Sequence, residues 1–245
     1  MLGQVLRRVL ADNPRLEKIF SKIYVAAKIP RKDVFNPDAF RLFLTVQPYT
    51  MLSPLRMSRL YRAACKLNTQ EIEGSFVECG VWNGGSAAIL ASIAQRYQSR
   101  HVWLFDSWEG LPDPLELDVS ETGKIGMKGM ARGSEEKTRR LLFRRLALDH
   151  SKIHLVKGWF HETIQAHKEK INRIALLHLD CDWYTSVRLC LHDLYGQLVS
   201  GGLIIVDDYG YWKGCKKAVD EFLSNKGAAL EFVDIVEAAA YLRKR

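Results

Sequence analysis

Five short runs of apolar, branched and aromatic residues punctuate this chain: SFVECGVW (75–82), HVWLFDSW (101–108), KIHLVKGW (152–159), IALLHLD (174–180) and GLIIVDD (202–208). Runs of this length without polar alternation are what strands buried on both faces require. The segments between them carry helical spacing instead. In SAAILASIAQRYQS, Ile89, Ile93 and Tyr97 recur four apart, with Ser86 as the expected N-cap. Before the first run, SPLRMSRLYRAACKLN places Met57, Leu60, Tyr61 and Ala64 on one helical side. Strand and helix alternating in this way restrict the fold to an α/β sheet, mostly parallel, with helices on both faces.

The chain closes differently. CKKAVDEFLSNKG reads as a helix with Ala218, Val219, Phe222 and Leu223 on one side, and ALEFVDI and AAYLRK follow as two strands joined by a short turn. That pair is expected to add an antiparallel hairpin to the sheet. One segment, LPDPLELDVSETGKIGMKGMARG (111–133), has no sustained period and follows the second strand directly. A loop of this length at the carboxyl edge of a sheet is expected to be a lid or disordered. The expected organisation is an N-terminal helical cap, residues 1–70, packed on a core of residues 71–245.

At 245 residues the chain can bury one substantial core. No apolar run approaches the roughly 20 residues of a membrane span, and the first residues lack the apolar centre of a signal peptide, so a soluble, cytoplasmic protein is expected. Five cysteines, with no C-x-x-C pair, suit a reducing compartment and argue against a disulfide framework or structural zinc. The net charge of +8 raises the question of nucleic acid. KTRRLLFRR (137–145) interleaves bases with Leu141, Leu142 and Phe143, the pattern of an amphipathic helix with a solvated basic side, and no nucleic-acid module is recognisable. Nucleic acid is therefore not an expected partner. The apolar and basic N-terminal segment leaves room for a homodimer interface.

Chemistry gathers where the strands end. FVECGVWNGGS (76–86) reads strand, acid, glycine, turn and helix. It departs from G-x-G-x-x-G, so its glycines admit either a tight turn or close approach of a ligand, while Glu78 puts a charge near a buried strand end. LFDSWEG (104–110) puts Asp106 at the next strand end, where an acid can take hydrogen bonds from ribose hydroxyls. Two acids on neighbouring strand ends repel a pyrophosphate and favour a cationic nucleoside.

LLHLDCDWYTS (176–186) then brings Asp180 and Asp182, which on a continuing strand would share one side, and IIVDDYG brings Asp207 and Asp208. Four carboxylates converging through two apolar strands suit a hard cation such as Mg²⁺, Mn²⁺ or Ca²⁺. Cys181, turned to the other side, reads as a small buried residue, and His154, His161 and His178 read as core or supporting groups.

At these residues the chain resembles the macrocin O-methyltransferase family, which methylates sugar hydroxyls of antibiotics with S-adenosylmethionine and Mg²⁺. The resemblance is carried by PYTM, FVECGVWNGGS, VWLFDSWEGLPDP, VKGWFHETI, LLHLDCDWYTS and GGLIIVDDYG through KKAVDEF, in order, from about residue 48 to 223. It implies the class I methyltransferase fold, a Rossmann-like seven-stranded sheet with an antiparallel last strand. By position it implies Asp180, Asp207 and Asp208 as Mg²⁺ ligands and Asp182 as the general base. The cofactor would be held by Thr50 and Met51, by Glu78, Cys79, Gly80, Val81 and Trp82, by Asp106, Ser107, Trp108 and Gly110, and by Gly158 and Trp159, with Asp180 beside it and Ser134 from the lid.

The expected reaction is methyl transfer to a hydroxyl of a saccharide or small-molecule acceptor, with Asp182 accepting the proton and 111–133 closing over the site. Trp183, Tyr184, Tyr209 and Trp212 are equally suited to walling the acceptor and to plain packing. Two other readings stand beside this one. The D-x-D at 180–182 is also a pattern by which glycosyltransferases hold a metal and a nucleotide sugar, although Glu78, the Gly84-Gly85 turn and Asp106 then lack roles. A non-catalytic basic binding module is the third.

Overall fold

The computed structural model describes residues 14–96, 100–226 and 229–245. Tyr97, read above as part of a helical stripe, and the bases of the first 13 residues lie outside the described residues. Four helices come first: α1 (Pro14–Lys28), α2 (Arg31–Val34), α3 (Pro37–Val46) and α4 (Pro54–Thr69). They are followed by β1 (Ser75–Cys79), α5 (Gly85–Ala94), β2 (Val102–Asp106), α6 (Glu135–Arg139), β3 (Ile153–Lys157), α7 (Phe160–Ile171), β4 (Ile174–Leu179) and α8 (Tyr184–Leu194). The chain ends with β5 (Leu198–Val206), α9 (Lys213–Lys226), β6 (Leu230–Val236) and β7 (Ala239–Lys244).

The seven strands form one sheet in the order β3-β2-β1-β4-β5-β7-β6. β1 to β5 run parallel, and β7 lies antiparallel between β5 and β6. This is the expected class I methyltransferase architecture. Alternate residues of each strand face opposite layers. Phe76, Leu104, Leu176 and Ile205 face one core, shared with α1, α3, α4 and α5 through residues such as Val25, Phe43, Met57 and Ile89. Val77, Phe105, Leu177 and Val206 face the other, filled by Ile164 of α7, Leu191 of α8 and Val219 of α9. Every residue of β1 and β4 is buried, which is why both read as mostly apolar runs without polar alternation, Glu78 and His178 excepted.

The chain reverses its direction of travel across the sheet between β1 and β4, so the segments leaving these two strands diverge and open a crevice at their carboxyl ends. β1 and β2 stop earlier than their sequences suggest. β1 ends at Cys79 because Gly80 takes φ +95° and Trp82 φ +51°, and β2 ends at Asp106 with Trp108 at φ +54°. The expected N-cap Ser86 lies inside the first turn of α5. The cap is Gly84 at φ +91°, without a side-chain hydrogen bond. Past α6, residues Arg140–Arg145 widen into a π-helix, with Leu146 N–H donating to Leu141 O at 3.0 Å. Leu141 and Leu142 are both fully buried on this segment.

Residues 111–133 form an ordered strap. Asp118, 1% exposed, accepts from the Leu115 and Tyr184 N–H groups at 2.8 and 2.9 Å. Val119 and Ile125 pair across the strap, and Ser120 pairs with Trp212. The feet of the strap are pinned by close backbone approach: a methyl on Gly110 would lie 2.6 Å from Gly129 O, and one on Gly133 would lie 2.2 Å from Trp82 O. Among the described residues no helix is long and apolar enough to cross a membrane. On α1, Ile19, Phe20, Ile23 and Tyr24 face outward while Val25 is buried.

Candidate active site

The crevice between β1 and β4 is floored by contact of two backbones. Gly80 N–H donates to Phe105 O and Asp180 N–H to Cys79 O, both at 2.9 Å, so each loop continues the ladder one rung past its strand. A methyl on Gly80 would lie 1.8 Å from Asp180 O. No residue but glycine fits there. Above this floor is a cavity of about 280 Å³. Of the residues implied for the site, Met51, Gly80, Trp82, Asp106, Ser107, Gly110, Gly158, Trp159, Asp180, Asp182, Asp207 and Asp208 line it.

Asp106 fastens the turn after β1 to the turn after β2. Its Oδ2 accepts from Val81 and Trp82 N–H at 2.7 and 2.9 Å, and its Oδ1 from Trp108 N–H at 2.6 Å. Burial raises its pKa, and those backbone donors pull it back. A carboxylate has about four acceptor sites, so one remains for a hydroxyl.

The other implied residues stand behind the wall. Glu78 is fully buried within β1, with Oε1 2.8 Å from His178 Nδ1 and Oε2 without a partner. The strand runs one residue beyond it, so the acid that appears to sit at the strand end lies a rung below the cavity. Cys79 packs in the opposite core. Val81 is also buried, and Trp108, 5% exposed, donates from Nε1 to Trp82 O at 2.9 Å. Thr50 accepts from Leu52 N–H at 3.1 Å, and Ser134 caps α6 through Lys137 N–H at 3.3 Å.

The paired glycines serve the protein's own packing. A methyl on Gly84 would meet Thr138 at 2.8 Å, and one on Gly85 would meet Thr50 at 2.6 Å.

Side-chain oxygens of Asp180, Asp207 and Asp208 lie within 4.8 Å of one another. Asp207 N–H donates to Leu179 O at 2.9 Å, holding the ends of β4 and β5 level. β4 stops before Asp180, and Asp182 takes φ +55°, so these two acids are not neighbours on a continuing strand. Trp212 Nε1 donates to Asp182 Oδ1 at 2.7 Å. Burial, with Asp207 adding to it and Trp212 opposing, raises the Asp182 pKa to about 6. Burial and then the neighbouring carboxylates push Asp180 and Asp208 well above the usual range.

One cation answers these acids directly. Arg56 of α4 bonds Asp207 through Nη1, and nothing local singles it out: Arg62 on the same helix pairs with Asp33 and Arg59 with Asp234. With every group ionised, four carboxylates against one guanidinium leave a net charge of about −3, and the donors are all hard oxygens. Such a set fits a divalent cation, and Asp180, Asp207 and Asp208 are the residues that would hold it.

The aromatic residues divide. Trp212 and Tyr211, the latter not anticipated, line the cavity with Phe160 and Lys124. Trp183 is fully buried, edge-on to Trp212, and donates to Pro112 O at 3.0 Å. Tyr184 and Tyr209 bond Glu221 and Asp220 outside the cavity. Cys181 is 3% exposed in the core beneath the cavity and touches its wall. His154 stacks on Trp103 at 4.0 Å, and exposed His161 lies beside Glu162.

Comparison with known proteins gives this site a context. The model of the family described as Macrocin-O-methyltransferase (TylF) matches residues 43–244. Demethyldecarbamoylnovobiocin O-methyltransferase of Streptomyces niveus is 32% identical over 206 residues, 80% of this chain and 76% of the relative. Mycinamicin III 3''-O-methyltransferase of Micromonospora griseorubida is 27% identical over 202 residues, 80% of this chain and 78% of that one. The solved structure of the O-methyltransferase NovP superposes with a TM-score of 0.69 at 27% identity, covering 95% of this chain and 99% of that one. The calicheamicin methyltransferase CalS11 shares the fold, with a TM-score of 0.64 at 21% identity over 98% and 90% of the two chains. The glycosyltransferase and basic-module readings find no support in these likenesses. Sequence and fold agree over most of the chain's length: it belongs to the macrocin-O-methyltransferase (TylF) family, and it is an O-methyltransferase.

Proposed function

We propose that the protein transfers the methyl group of S-adenosylmethionine to a sugar hydroxyl of a glycosylated natural product, with a divalent ion, Mg²⁺, held by Asp180, Asp207 and Asp208. One observation carries this reading: the acid cluster opens into the same cavity as Gly80 and Asp106. The names of the relatives, a demethyldecarbamoylnovobiocin O-methyltransferase and a mycinamicin III 3''-O-methyltransferase, support the acceptor class.

Gly80 lets a ligand settle against the ends of β1 and β4, and the remaining acceptor site of Asp106 takes a ribose hydroxyl. Gly158 and Trp159 lie toward the adenine side, and Met51 approaches from the helical cap, residues 1–70, over the catalytic unit, residues 71–245. Thr50, Glu78, Cys79, Val81, Trp108 and Ser134 shape this wall from behind. A divalent ion among the three aspartates supplies positive charge that makes a neighbouring hydroxyl a stronger acid, each pKa unit being worth about 1.4 kcal/mol.

Asp182 takes the hydroxyl proton. Trp212 holds its Oδ1, which leaves Oδ2 as the accepting atom, and before any cation is bound burial pushes its pKa up to about 6. Leu111, Pro112, Met130 and Ala131 of the strap line the cavity and exclude water from it.

Titration calorimetry with S-adenosylhomocysteine and with a nucleoside diphosphate tests the donor. Binding of the diphosphate alone would overturn the assignment. Methyl transfer to a glycosylated acceptor, followed by mass spectrometry, is expected to stop in excess chelator and in Asp207→Ala; full turnover in either would remove the metal from the reading.

A further inference from the structure

Arg56 is held more firmly than a chance counter-ion. Its side chain is only 19% exposed, and Nη1 bonds Asp207 Oδ2 while lying 3.4 Å from the Asp207 carbonyl oxygen. Its Nε lies 3.5 Å from Glu237 Oε2. Glu237, at φ +55° in the turn between β6 and β7, accepts from Ser53 Oγ, and the same hydroxyl caps α4 by accepting from Arg56 N–H at 3.2 Å. Asp207 thus binds the guanidinium through one carboxylate oxygen, and Glu237 faces its Nε at ion-pair distance without a hydrogen bond. Among the described residues no other lysine or arginine lies within ion-pair distance of Asp180, Asp182, Asp207 or Asp208.

An oxygen that accepts from a fixed guanidinium is a poor metal ligand, so Asp207 has one oxygen left to offer. Ca²⁺ takes six to eight oxygens and gains from carboxylates that bind through both; Mg²⁺ takes six in a tight octahedron and has no use for the second. We propose that Arg56 is a specificity-determining residue of the metal site, confining Asp207 to one-oxygen ligation and so biasing the site against Ca²⁺ and toward ions of the size of Mg²⁺. The inference rests on the metal reading given above. It goes beyond that reading by assigning ion selectivity to a residue that binds no ion.

Charge and ligation separate cleanly in the test. Removing a positive charge raises affinity for Mg²⁺ and Ca²⁺ by similar factors, since both carry two charges. Freeing the second oxygen of Asp207 favours Ca²⁺ alone. Calorimetric titration of wild type and Arg56→Gln with MgCl₂ and CaCl₂ separately is expected to shift the ratio of the two dissociation constants toward Ca²⁺ on the order of tenfold, the usual scale for loss of an outer partner. Glu237→Gln, which loosens the guanidinium without removing it, is expected to move the ratio in the same direction by less, and it carries the test should Arg56→Gln fail to fold. An unchanged ratio in folded variants overturns the proposal and leaves the metal reading intact. Wild type that binds neither ion overturns both.

Discussion

Gly80→Ala concentrates the structural reasoning in one methyl group. The new carbon would lie 1.8 Å from Asp180 O and 2.7 Å from Asp180 C, both backbone atoms, so no side-chain rotation relieves the clash. Restoring ordinary contact requires the β4 loop to retreat by roughly 1.5 Å or more. That movement strains or breaks the 2.9 Å bond from Asp180 N–H to Cys79 O. Losing a buried backbone bond costs about 1–3 kcal/mol, and holding alanine at φ +95° costs about 1–3 kcal/mol more. The expected destabilisation is about 2–6 kcal/mol, a fall in melting temperature of roughly 5–20 °C for a chain of this size. The same retreat displaces Asp180 from its present position relative to Asp207 and Asp208, because β4 lies between β1 and β5. Scanning calorimetry reads the first effect, and titration with S-adenosylhomocysteine and with Mg²⁺ reads the second, with both affinities expected to fall at least tenfold. A variant that melts within 2 °C of wild type, as judged against the ~2–4 °C expected per kcal/mol, and binds both ligands normally would show that the two backbones do not meet as described.

Asp118→Ala removes the acceptor of two strap and helix N–H groups; a loss of roughly 2–4 kcal/mol is expected, with faster tryptic cleavage at Lys124 and Lys128, and an unchanged cleavage rate would contradict the anchoring role. Asp208→Asn relieves repulsion within the acid cluster, so the metal-free protein is expected to gain roughly 1–2 kcal/mol of stability while losing Mg²⁺ binding; a lower melting temperature would argue against crowding. His154 has its pKa lowered from 6.5 by burial first and by His101 and His167 next, so the unfolded chain takes up its proton before the folded one does. Its contribution is fully present above pH 6.5 and is lost as pH falls through the lower folded value. Urea midpoints measured across that window are expected to fall less steeply in His154→Phe than in wild type.

The sheet was legible because burial on both faces leaves a mark: β1 and β4 are buried along their whole length and show apolar residues where a half-exposed strand would alternate. The carboxylates were legible because each interrupts such a run. What the sequence could not disclose is where a strand stops, since that depends on positive φ at Gly80 and Trp82 and not on side-chain chemistry. Glu78 was accordingly placed at the ligand, although it lies one rung below, beside His178. The glycines at 84 and 85 admit a tight turn or a close ligand on sequence alone, and what decides for them is the room they leave for Thr138 and Thr50, residues remote in the chain. Arg56 carries no local signal at all, because its meaning comes from Asp207, 151 positions away.

The strap over the cavity is fastened at its feet by Gly110 and Gly133, while beside the cavity-lining Lys124 its crown stands open, Ile125 at 71% and Met127 at 60% exposure. Ile125 and Met127 pack against neither the sheet nor the acids, whereas Gly126 between them lies against Trp183. A duplicated gene can therefore drift toward a new acceptor through a few codons there, inheriting the transfer chemistry unaltered.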